Sequence, residues 1–125
     1  FHVGDLCQGN AYKEQLVSTR MADQITIATA NIREWFEADL NLEACRLVIG
    51  TNSHNFGEGS ATILVGNNLT AAFGDADIRV LGHGHATVDG FIIDYAHHGP
   101  SAGIREHTEG NQLRYYARSI VMIDV

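Results

Sequence analysis

Between Tyr12 and Ala38 the chain carries neither Gly nor Pro, and Leu16, Met21, Ile25, Ala28, Ile32 and Trp35 recur at spacings of three to five. That is the period of one apolar helix face. Two short apolar segments flank it: Phe1-His2-Val3 running into Gly4-Asp5, and Leu47-Val48-Ile49 stopped by Gly50. Strand, long helix and strand make a βαβ unit, and its crossover obliges the two strands to run parallel. The second segment is apolar without alternation, as expected of a strand covered on both faces. Parallel strands end on one edge of their sheet. Asp5 and the loop Gly50-Thr51-Asn52-Ser53-His54 are therefore expected to emerge side by side, where open α/β sheets place their ligands.

The rest of the chain reads as further short elements. Glu58 to Asn67 predicts a helix packing Ala61, Leu64 and Val65, ended by Gly66-Asn67-Asn68. Ile78-Arg79-Val80-Leu81 predicts a strand, and Gly82-His83-Gly84-His85 reads as a Gly-rich loop. Ala86-Thr87-Val88 and Phe91 to Ala96 form a hairpin across Asp89-Gly90, which supplies the left-handed turn geometry. Asn111 to Ile123 predicts a last helix with Leu113, Tyr116, Ala117, Ile120 and Val121 on one side. The fold class is α/β, a central mixed β-sheet flanked by helices, in one domain over residues 1–125.

Composition excludes several classes. With 45% apolar and 18% charged residues the chain is too apolar for a disordered one. A net charge of −7 opposes a broad basic surface for nucleic acid, though bound cations can invert the sign of a local site. Cys7 and Cys45 lack CxxC spacing and read as reduced thiols of a non-secreted protein. No apolar run approaches the ~18 residues of a membrane helix. The Gly-rich segments lack the Lys-Ser/Thr ending of a P-loop, which sets nucleoside triphosphate hydrolysis aside.

Seven histidines against eight Lys plus Arg point to site chemistry. Three expected strand ends carry metal-ligand residue types: Asp5, Asn52 with His54, and His97 with His98. This mixed oxygen and nitrogen set suits Mn, Fe or Zn better than Ca. Each alone has an ordinary reading as turn, loop cap or exposed pair; together, on one sheet edge, they read as a shared site.

Gly4-Asp5-Leu6-Cys7-Gln8-Gly9 resembles the GDxxxG motif of calcineurin-like metallophosphoesterases. Gly50-Thr51-Asn52-Ser53-His54 looks like a stretched form of their GNH(D/E) motif, and Tyr95-Ala96-His97-His98-Gly99-Pro100 is similar to their histidine motif. Order and approximate spacing agree over nearly the whole chain, and the run from Ala96 to Arg105 is similar to phosphoesterases encoded by phages. The resemblance implies a partial α/β/β/α sandwich and hydrolysis of a phosphomonoester or phosphodiester at a site with two divalent metal ions. It implies that Asp5 bridges the ions, that Asn52 and His97 bind the second, and that His54 protonates the leaving group or steadies the phosphate. His98 then supports the ligands and Arg105 contacts a substrate phosphate. Nucleic acid or a nucleotide is the candidate substrate, and the compartment the cytoplasm, including that of a phage-infected host.

The family's DxH and GHxH motifs have no counterpart before Gly4 or after His98, so the pattern is expected of the middle of a larger fold. Gly82-His83-Gly84-His85 spells GHxH but precedes the histidine motif. Two other function classes compete. One is a catalytically inactive domain on the same scaffold, serving structure or interaction. The other is a simple metal-binding protein using His83, His85, His97 and His98.

Overall fold

The computed structural model describes residues 1–11, 14, 16, 18–38, 42–56 and 60–97. They form helix α1 (Met21–Glu37), strand β1 (Ala44–Val48), a 3-10 turn (Asn52–His54), helix α2 (Ser60–Ala72), and strands β2 (Asp77–Leu81), β3 (His83–Val88) and β4 (Phe91–Ala96). This is an α/β chain. The expected helix from Asn111 to Ile123, His98 and Arg105 lie outside the described residues.

β1 and β2 pair in parallel, Ala44 opposite Asp77 through Val48 opposite Leu81. The N-terminal segment adds a parallel bridge on the other side of β1, where His2 lies against Leu47. Its amide donates to the Arg46 carbonyl at 2.9 Å, and the Val48 amide to the His2 carbonyl at 2.8 Å. β3 and β4 form a separate antiparallel pair, with His85 opposite Asp94 and Val88 opposite Phe91. The turn residues Asp89 and Gly90 both have positive φ, 50° and 83°, as a two-residue hairpin requires.

α1 packs on α2, and α2 on β1 and β2. Ile25, Ala28 and Ile32 of α1, Ala61, Val65 and Leu69 of α2, and Cys45 and Leu47 of β1 fill one core with Cys7. Both cysteines are free and buried, and burial pushes each thiol above its ordinary pKa. No helix among the described residues is long and apolar enough to cross a membrane.

Four expectations are corrected. The long helix starts at Met21, not near Tyr12. The Ser18 hydroxyl accepts from the Arg20 amide at 3.1 Å and donates to the Asp23 carboxylate at 2.7 Å, local bonds that compete with a helical turn. Leu16 instead lines, with Leu6, Cys7 and Ala28, a cavity of about 180 Å³. Met21 and Trp35, expected on the buried stripe, are 43% and 40% exposed.

Gly66-Asn67-Asn68 does not end the second helix, which continues to Ala72. Leu69, one turn beyond the glycine, is fully buried. Burying a leucine is worth ~1.5–3 kcal/mol, more than the ~1 kcal/mol that an interior glycine costs. Finally, Gly82-His83-Gly84-His85 is not a loop, because His83 to His85 open β3. A Cβ on Gly84 would collide with the Tyr95 ring, so this glycine is where a cross-strand aromatic covers the backbone.

Candidate metal centre at three strand ends

The residues after the N-terminal bridge leave the strand sharply. Gly4 and Asp5 have φ of 104° and 55°. A non-glycine residue in this left-handed region costs ~1–3 kcal/mol and persists only where the surroundings fix it. Here they do. A Cβ on Gly4 would fall against the His97 ring and the Gly50 backbone, and one on Gly50 would fall on Asp5 itself. Both glycines are thus dictated by the close approach of three segments: the end of the N-terminal strand, the end of β1 and the end of β4.

That approach assembles a compact polar group. The Thr51 amide donates to Asp5 Oδ1 at 2.8 Å, and its hydroxyl to Asp5 Oδ2 at 3.2 Å. His97, which follows directly on β4, places Nε2 2.9 Å from the Thr51 hydroxyl and 3.2 Å from Asp5 Oδ2. Its other nitrogen, Nδ1, lies 2.6 Å from the Val3 carbonyl oxygen. A carbonyl only accepts, so Nδ1 carries the hydrogen. Nε2 is therefore the nitrogen turned toward the carboxylate and the Thr51 hydroxyl, the orientation of a metal-ligating histidine whose other nitrogen is held by a backbone carbonyl.

Burial pushes the Asp5 carboxyl up, but two Thr51 hydrogen bonds and the positive potentials of His97 and His54 outweigh it. The net effect holds the carboxyl below the ordinary aspartate value. It is an ionised acceptor at neutral pH.

The motif's second glycine has its own reason. Gly9 has φ of 75°, and a Cβ there would meet the Ser53 carbonyl. Its amide donates to Gln24 Oε1 at 2.9 Å and its carbonyl accepts from Gln24 Nε2 at 2.7 Å. Gln24, buried on α1, also donates to the Ser18 carbonyl at 2.7 Å. One side chain therefore ties the loop after Asp5 to the helix and to the segment that starts it.

Among the residues expected at the site, Asp5 and His97 are brought together. His54, half-buried on the 3-10 turn, acts on Asp5 through its charge. Asn52 is exposed on the same turn. The loop's contacts to Asp5 come from Thr51, one position earlier, which sequence reasoning passed over. Gln24 was also missed; its signal was a polar residue inside the apolar stripe of α1. A second group, His83, His85 and Asp94, gathers on the β3–β4 hairpin with donor atoms within 4.8 Å of one another.

No protein-family model, curated protein or solved structure matches this chain.

Proposed function

We propose that the chain is the core of a metal-dependent phosphoesterase acting on a phosphomonoester or phosphodiester, with nucleotides and nucleic acid as candidate substrates. The observation that carries this reading is the Val3–His97–Asp5 relay. A backbone carbonyl holds Nδ1–H and so turns Nε2 toward the Thr51 hydroxyl, 2.9 Å away, and an ionised carboxylate oxygen 3.2 Å away. An imidazole nitrogen that can give up its proton and an ionised carboxylate oxygen that close suit a shared cation. Asp5 and His97 would hold one divalent ion of the Mn, Fe or Zn type, with the Thr51 hydroxyl beside both and Asn52 on the adjoining turn.

Divalent ions bound there would lower the pKa of a bound water to give a nucleophile at neutral pH and would neutralise charge on the phosphate oxygens. The chain's own residues do the rest. Thr51 orients the Asp5 carboxylate through two hydrogen bonds, and the strained backbone at Gly4-Asp5 keeps it at the strand end. His54 is assigned the proton delivered to the leaving oxygen. The finer fold reading, an α/β/β/α sandwich, belongs to this proposal. Its support is a second, separate two-stranded sheet and the contact it makes with the N-terminal segment, where the Phe1 and Tyr95 rings are 4.4 Å apart.

The test is Mn²⁺-dependent hydrolysis of bis-(p-nitrophenyl) phosphate and p-nitrophenyl phosphate by the full-length protein. Asp5→Ala and His97→Ala should each abolish turnover with the far-ultraviolet spectrum unchanged. His54→Ala should lower kcat by ~10²–10⁴, the worth of a positioned acid, while metal content is kept. A metal-loaded, folded protein with no turnover on either ester would favour the inactive-scaffold reading instead.

A further inference from the structure

The β3–β4 hairpin carries a group that the strand-end site does not use. His83 and His85 are two apart on β3, so both project from the same face. Asp94 is directly opposite His85 in the register and diagonal to His83, which pairs with Ala96. The three side chains therefore share one face, while Tyr95, buried, takes the other and lies over Gly84. His85 Nε2 lies 2.8 Å from Asp94 Oδ1, and His83 Nε2 contacts the same oxygen. The two imidazole rings stand edge to face with centroids 5.0 Å apart.

We propose that His83, His85 and Asp94 form a second metal site, binding a single divalent ion of the Zn²⁺ class independently of the strand-end centre. Two imidazoles and one carboxylate are a ligand set that first-row transition metals take, leaving a fourth position open. Ligands at the ~2.0–2.1 Å bond lengths of tetrahedral Zn²⁺ stand ~3.3 Å apart. The donor atoms on the hairpin all lie within 4.8 Å of each other, so the adjustment to that spacing is small. The backbone is already set: a paired antiparallel ladder fixes all three Cβ positions, so little order remains to be imposed when the ion binds. His83 and His85 are exposed and Asp94 half-buried, which leaves the site open to ions from solution.

The site is separable from the proposed hydrolase centre because the residues differ. Asp94 lies within β4, on the face opposite Tyr95, whereas His97 follows the strand. An ion at the hairpin would be held by none of the residues that make the strand-end contacts.

The experiment is a metal count on untagged, full-length protein by equilibrium dialysis against Zn²⁺, repeated with Co²⁺ to read its visible absorption. In an Asp5→Ala/His97→Ala background, one equivalent should remain, with the absorption of a tetrahedral Co²⁺ site. Adding His83→Ala and His85→Ala should remove that equivalent and the absorption together. In the otherwise unmodified protein the same two hairpin substitutions should lower the count by one. Asp94→Asn, which keeps hydrogen-bonding capacity but removes the charge, should weaken Zn²⁺ binding at least tenfold. Either of two results would overturn the site: no Zn²⁺ retained in the Asp5→Ala/His97→Ala protein, or a count unaffected by His83→Ala/His85→Ala. Neither depends on whether the protein hydrolyses an ester.

Discussion

Gln24 is a side chain whose value lies in what it satisfies. Its amide group closes hydrogen bonds with both backbone groups of Gly9 and with the Ser18 carbonyl, all at 2.7–2.9 Å. Leaving a buried polar group unpaired costs ~1–3 kcal/mol. Gln24→Ala is thus expected to cost ~3 kcal/mol in urea unfolding, and a loss under ~0.5 kcal/mol would show that water replaces the amide. Asp5 gives a pH signature. Its folded-state pKa is lower than the ordinary 3.8, so the folded chain holds its proton less tightly than the unfolded chain. The stability this confers is complete above 3.8 and is lost as pH falls through the folded value. In metal-free protein under chelator, the urea midpoint of the native sequence should drop more steeply than that of Asp5→Asn as the pH falls through and below 3.8. Parallel curves would mean that Thr51 and His97 do not favour the ionised form.

At the scale of elements, the parallel strands, the hairpin and the placement of Asp5 beside the Gly50 loop were legible because they rest on local signals. Those signals are apolar runs, a Gly-free amphipathic stretch and an Asp-Gly turn. What stayed hidden depends on partners distant in sequence. A turn such as Gly50 to His54 does not reveal which side chain faces Asp5, so Thr51 was passed over for Asn52. Gly84 reads as a loop residue until Tyr95 is seen across the strand, and Gly66 as a helix stop until Val80 is seen beneath it. The last case yields a reversal of propensity. Ala at an exposed helix position gains ~1 kcal/mol over Gly. At position 66 its Cβ would lie 2.5 Å from Val80 Cγ2, and overpacking of this kind costs ~1–3 kcal/mol. Gly66→Ala should therefore lower the thermal midpoint, and in the Val80→Ala background its penalty should shrink. Equal penalties in both backgrounds would locate the strain elsewhere.

Over the whole molecule, the core and the proposed chemistry are segregated. The helices and the parallel sheet hold the buried cluster, whereas the candidate metal ligands gather at strand ends and on the hairpin. The bond from Val3 to His97 spans 94 positions of sequence. It carries a consequence for how the molecule comes to be folded. Closing so long a loop is entropically costly and is rewarded only once the intervening helices and strands have formed. On a ribosome Asp5 emerges well before the histidine that faces it, and the nascent chain holds only one member of the pair through most of its synthesis. The strand-end pair is accordingly a late event, absent from the folding nucleus. In stopped-flow experiments on metal-free protein, His97→Ala should leave the refolding rate nearly unchanged and accelerate unfolding, as for a contact made after the rate-limiting barrier. Slowed refolding would put this pair in the nucleus.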